Sequence, residues 1–192
     1  SSCLSTMTMI PGYPILVGSF FICLGIFYTY QQVRECDDIT YTVMLPFSKQ
    51  DVVTAKYLFV LFIECMAFIL CLFLTIIRMR LLGDAAPYVT NQLMNANAAY
   101  LGYIMLVFAT FNSIFLAGFF KTAYKIGKPF ILFCVVGSII IFMGEVLHHI
   151  PGLESLNDPA NLSIPQVVIL LIGIVMFKLC TWFSYQKAIK DF

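Results

Sequence analysis

Apolar residues are not alternating or spaced along this chain; they run on, in stretches of about 20 that break only at polar connectors. A helix needs about 20 apolar residues to cross a hydrocarbon core of about 30 Å, and five stretches reach that length: 15–33, 57–77, 99–120, 130–147 and 165–185. The connectors carry breakers, among them Pro46, Gly83 with Pro87, Pro129, and Pro151 with Pro159 and Pro165. Lipid cannot hydrogen-bond an exposed backbone, so only helices or closed barrels span it. Runs without alternation exclude the barrel. The predicted fold class is therefore all-α, a polytopic helical membrane protein forming a single transmembrane domain over 1–192.

Composition strengthens this. Of 192 residues 61% are hydrophobic and 11% charged, against roughly half and a quarter in soluble domains. The formal charge of +1 offers no basic surface for phosphates, and nucleic-acid binding drops out. The seven cysteines show no CxxC or Cys/His ligand spacing. Cys23, Cys65, Cys71, Cys134 and Cys180 lie inside apolar runs, where they are expected as small apolar residues rather than ligands.

Positive residues favour cytoplasmic loops. Arg34, Lys49, Lys56, Lys121, Lys125, Lys128, Lys187 and Lys190 fall on one set of connectors, and only Arg78 and Arg80 on the other. This predicts a cytoplasmic C-terminus. Five spans ending inside predict a further span before Ser1, completing a six-helix unit.

The cytoplasmic segment 34–56 is the most informative. Asp37 and Asp38 precede a short run in which Tyr41, Met44 and Leu45 share helical spacing before Pro46. This predicts a short interfacial helix, its acidic start suited to the helix dipole and its end set by the proline. Ser48 then stands where it can cap the next helix, with Asp51 three residues on as in a capping box. Such an element is either a handle for a soluble motor or a surface helix that fills a loop.

The run Tyr41 to Leu58, YTVMLPFSKQDVVTAKYL, resembles a stretch of type-2 ABC transporter permeases. The matching places are Tyr41, Leu45-Pro46, Ser48, Lys49, Asp51, Val52 or Val53, and Lys56-Tyr57. Within that family the chain is similar to the small bacterial peptide exporters of the phenol-soluble-modulin transporter type. The resemblance implies a bacterial cell-membrane permease, paired as a homodimer of six-span subunits with separate ABC ATPase chains, that exports hydrophobic or amphipathic peptides. It implies ATPase coupling through Asp37, Asp38, Tyr41, Met44, Leu45, Pro46, Ser48, Lys49 and Asp51, with Lys121 and Lys125 as a second contact. No G-x-x-x-x-G-K-[ST] occurs; the nearest string is Gly127-Lys128-Pro129. No cofactor is expected in this chain, and ATP and Mg would be bound by the partner.

Two sets of charges lie at bilayer depth. Glu64 is eight residues past Lys56 and Lys178 nine before Lys187, so both sit roughly 12–14 Å in from the cytoplasmic ends at about 1.5 Å per residue. Equal depth suggests a Glu64–Lys178 pair, within or between subunits. The alternative is a snorkelling Lys178 and a Glu64 that is protonated or faces an aqueous vestibule. Glu145, His148 and His149 can share a helical face; an interfacial cluster is expected there, and no metal. Gly18 and Gly25, one heptad apart, are a candidate dimer seam, and Gly137 and Gly144 repeat the spacing. Rival readings are a membrane immunity or sensor protein that binds such peptides without pumping them, and an intramembrane metalloenzyme built on Glu145, His148 and His149.

Overall fold

The computed structural model of the chain describes residues 6–10, 12–36, 48–82, 91, 93–122, 126–158 and 161–191. Among them every regular element is helical. Five long helices stand where the apolar runs predict them: α1 (Val17–Glu35), α2 (Lys49–Leu81), α3, α4 (Gly127–Val146) and α5 (Ile164–Asp191). The third, α3, runs as an α-helix Ala98–Thr110, a π-helical turn Phe111–Leu116 and a closing α-helix Ala117–Thr122. Short 3-10 turns at Thr6–Met9, Leu147–His149 and Glu154–Asn157 lie before α1 and between α4 and α5.

Four of the five helices are long and apolar enough to cross a membrane: Lys49–Leu81, Ala98–Lys121, Gly127–His149 and Ile164–Asp191. The exception is α1. It occupies the predicted place, but Thr29, Gln31, Gln32, Arg34 and Glu35 crowd its last two turns, leaving a continuous apolar stretch too short for that criterion. The opposite departure occurs in α2. Its 33 residues reach about 50 Å at 1.5 Å per residue, well beyond the hydrocarbon thickness of about 30 Å. Pro129 and Pro165 sit in the first turns of α4 and α5 rather than in the connectors, positions where the missing N–H costs nothing.

The helices are arranged around α3. In its apolar window 67% of residues are buried, against 28% in α2, 17% in α4 and 11% in α5, which makes α3 the central rod and the others its jacket. The jacket turns large apolar side chains outward, including Phe62, Phe142 and Phe183. That arrangement is unfavourable in water and costs nothing in lipid. Inside, an aromatic cluster joins α1, α3 and α4. Phe27 stacks on Phe130 with ring centroids 3.9 Å apart, Tyr30 meets Phe119 edge-on at 4.8 Å, and Phe111 meets Phe133 at 5.0 Å.

Glycines set the closest approaches. A Cβ on Gly102 of α3 would lie 2.6 Å from the Ile169 carbonyl oxygen of α5, and one on Gly173 of α5 would collide with the Gly102 carbonyl oxygen. The two backbones touch where neither has a side chain, the close packing that small residues permit in lipid. The heptad-spaced glycines fare differently. Gly18 is buried within the chain and Gly25 is exposed, with open space where its Cβ would be. Gly144 accommodates Leu16, whose Cδ1 lies 2.6 Å from an added Cβ, so that glycine serves packing inside the subunit.

Gly173→Leu is expected to lower the thermal stability of the detergent-solubilised chain by at least the 1–3 kcal/mol or so typical of overpacking. Gly25→Leu, facing open space within the chain, is expected to perturb the fold of the single subunit far less than Gly173→Leu. Loss of the monodisperse size-exclusion peak on heating measures both.

Candidate functional site

The Lys-rich end of the bundle begins at Ser48. Its Oγ accepts from the Asp51 N–H at 3.2 Å, and Asp51 Oδ2 accepts from the Ser48 N–H at 3.2 Å. The capping box expected from the sequence is thus formed, and α2 continues from it without a break. Lys49 and Asp51 lie exposed in the first turn, and Lys121 is exposed near the end of α3. Its neighbour Phe120 stacks on Tyr57 of α2 at 5.9 Å, so both cationic segments belong to one end. Asp37, Asp38, Tyr41, Met44, Leu45, Pro46 and Lys125 lie outside the described residues.

From this end a chain of polar contacts climbs into the bundle. Tyr30 of α1 donates its hydroxyl to the Lys56 carbonyl of α2 at 3.2 Å. Thr54 donates to the Gln50 carbonyl at 2.6 Å, so the 2.9 Å contact between Thr54 Oγ1 and the Tyr185 hydroxyl of α5 has Tyr185 as donor. The same logic orders the next layer. Ser184 donates to the Asn112 carbonyl at 2.5 Å. Its single proton is thereby used, and Tyr57 is the donor in the 2.7 Å contact with Ser184 Oγ.

Asn112 is the node. It is the second residue of the π-helical turn. A π-turn closes on i+5 rather than i+4 and widens the helix locally, and the Asn112 carbonyl within it is the one that accepts from Ser184. Its carboxamide Nδ2 donates to Glu64 Oε2 of α2 at 2.9 Å and to Thr181 Oγ1 of α5 at 3.2 Å. One residue of the central helix therefore holds two neighbouring helices. Glu64 is 1% exposed, and its Oε1, like Asn112 Oδ1, has no hydrogen-bond partner among the described residues.

Within one chain the expected Glu64–Lys178 pair is not made. Glu64 turns inward to Asn112, while Lys178 is exposed in a groove between α2 and α5. Equal depth fixes height along the helices but not the direction in which a side chain leaves its helix, and here the two directions diverge.

The opposite end is stitched by amides that sequence reasoning did not single out. Arg78, buried at the end of α2, donates to the Thr8 carbonyl and, at 2.8 Å, to Asn95 Oδ1. Asn95 donates its N–H to Asn157 Oδ1 at 2.7 Å, and Asn157 donates to the Leu93 carbonyl at 3.2 Å. Asn97 caps α3 by accepting from the Tyr100 N–H at 3.1 Å and donates to the Leu156 carbonyl at 2.7 Å. Glu145 joins this layer, its Oε2 accepting from the Met94 N–H at 3.0 Å. His148 is buried with its ring centroid 4.1 Å from that of the exposed His149. Among the described residues no three His, Cys, Asp or Glu side chains converge as metal ligands.

The family model described as ABC-2 family transporter protein matches residues 2–192. The chain belongs to the ABC-2 transporter family. No curated protein and no solved structure matches it. As an ABC-2 membrane subunit it is a permease component of an ABC transporter, a transport subunit in the membrane, and the family normally works with an ABC ATPase. The helices with outward-facing apolar side chains agree with that location.

The polar chain in this ABC-2 subunit is expected to be cooperative. Ser184→Ala leaves the Asn112 carbonyl without its donor and Tyr57→Phe removes the hydroxyl behind it. The double variant is expected to lose less than the sum of the single losses by about 0.6 kcal/mol, the mean for interhelical polar contacts in a membrane. A double-mutant cycle on thermal stability in detergent measures it.

Proposed function

We propose that this ABC-2 subunit is the permease of an ATP-driven exporter that moves hydrophobic or amphipathic peptides out of a bacterial cell, in the manner of the phenol-soluble-modulin transporters. It works as a homodimer with two separate ATPase chains, which bind ATP and Mg. Segment 34–56 is the handle those ATPases grip, and Lys121 with Lys125 adds a second contact. On this reading α1 is a fifth crossing whose polar last turns reach the headgroups, a sixth span completes the unit, and the Lys-rich end with the C-terminus is cytoplasmic by the distribution of positive residues. Gly25, on an exposed face of α1, remains available to a second subunit, whereas Gly18 is occupied within its own.

The observation that carries this reading is the way α2 leaves segment 34–56. It starts at a capping box and stays unbroken. Between Thr54 and Glu64 it is hydrogen-bonded to α1 through Lys56, to α5 through Thr54 and Tyr57, and to α3 through Glu64. A displacement applied ahead of Ser48 therefore reaches three other helices through directional contacts, which is what a transmission element between motor and membrane requires.

Tyr41→Ala combined with Met44→Ala is expected to leave membrane insertion unchanged and to abolish recovery of the ATPase with the tagged subunit. Unchanged recovery and transport would count against the handle, and peptide binding without ATPase recovery in the parent chain would favour an immunity or sensor role. Orientation has its own test in Cys36, free and exposed beside the end of α1. In a chain keeping only this cysteine, an impermeant maleimide is expected to label inside-out vesicles and spare intact cells; the reverse pattern would invert the topology.

A further inference from the structure

Between α2 and α5 runs an open groove of about 430 Å³, within the range of about 300–1,000 Å³ usual for small-molecule sites. Leu58 and Leu61 of α2 and Phe177 and Trp182 of α5 form its almost wholly apolar walls, and the exposed Lys178 borders it with its stem. The Tyr185–Thr54 hydroxyl pair lies at its Lys-rich end. Lys178 makes no ion pair with a described residue, and no acidic side chain lines the groove. A cation facing lipid roughly 13 Å in from Lys187, at about 1.5 Å per residue, is costly unless an anion meets it or its stem carries it toward the headgroups.

Both remedies converge on one ligand. We propose that this groove binds an anionic phospholipid, its phosphate on the Lys178 ammonium and one acyl chain along Leu58, Leu61 and Phe177. Charge complementarity selects this occupant. A zwitterionic lipid brings its own ammonium group, and a second copy of the chain seated by two-fold symmetry would bring a second Lys178 with no acid to meet it. Anionic headgroups are plentiful at the cytoplasmic leaflet, the side on which the proposed topology puts the groove. The site rests on that topology and not on peptide export.

Trp182 is the only tryptophan in the chain and 60% exposed in the groove, which supplies the reporter. The full chain is reconstituted into phosphatidylcholine vesicles, with acyl-brominated phosphatidylglycerol or acyl-brominated phosphatidylcholine titrated as quencher. The brominated phosphatidylglycerol is expected to compete for Trp182 about fivefold better, the ratio that one lysine beside an anionic surface supplies. Lys178→Gln and Lys178→Met are expected to bring the ratio to about one, and Lys178→Arg to keep it. Matching phosphatidylcholine curves for parent and variants certify that the groove is intact. Equal quenching by the two lipids in the parent, or a preference that survives both neutral variants, would overturn the site. Quenching by neither lipid would overturn it too, placing protein from a second copy over the groove.

Discussion

Three helices of this bundle meet on one asparagine, and the bilayer is the reason they must. A carboxamide or carbonyl in hydrocarbon has no water to turn to, so polar groups there are drawn to partners inside the protein. Asn112 supplies both kinds of group at once. Its carbonyl, within the π-helical turn, takes the Ser184 hydroxyl, and its carboxamide nitrogen serves Glu64 and Thr181. The buried middle of α3 is thus a junction for α2 and α5.

Around that junction, apolar packing does the bulk work without selecting a register. Tyr30 on Phe119 and Phe133 on Phe111 bring α1 and α4 onto α3 by area and ring geometry, contacts that tolerate small slides. The Gly102–Gly173 crossing and the hydrogen bonds do not tolerate them. Backbone against backbone, with no side chain between, leaves α3 and α5 one relative position. The α2–α3–α5 group is therefore the rigid part of the subunit, and α1 and α4 are joined to it largely through aromatic faces.

Much of this architecture is legible in the sequence because hydrophobic length and capping chemistry are local. The run 57–77 and the Ser48–Asp51 pair suffice to place α2 and its start. The first span shows where such reading weakens: 15–33 is helical as expected, yet its polar final turns set it apart from the other four. Contacts between helices are less visible still. Glu64 and Lys178 share a depth but leave their helices in different directions, and the amide that meets Glu64 is 48 residues away. Asn112 was nonetheless detectable as a lone amide in an apolar run, a residue type that needs a partner in lipid. Gly102 and Gly173 carried no such mark, because heptad spacing relates residues of one helix and their partnership joins two. Asn95, Asn97 and Asn157 read as loop composition and form a network only once the connectors are brought together.

The two ends of the bundle are held by different means. At the end containing Arg78, side chains bond to the backbones of the connectors themselves, at Thr8, Leu93, Met94 and Leu156, so the helix mouths are laced to one another by main chain. At the Lys-rich end the ties between α2 and α5 are side chain to side chain, Tyr185 to Thr54 and Tyr57 to Ser184. A pull at Ser48 is therefore shared among the helices by side chains first and meets the main chain of the connectors at the Arg78 end.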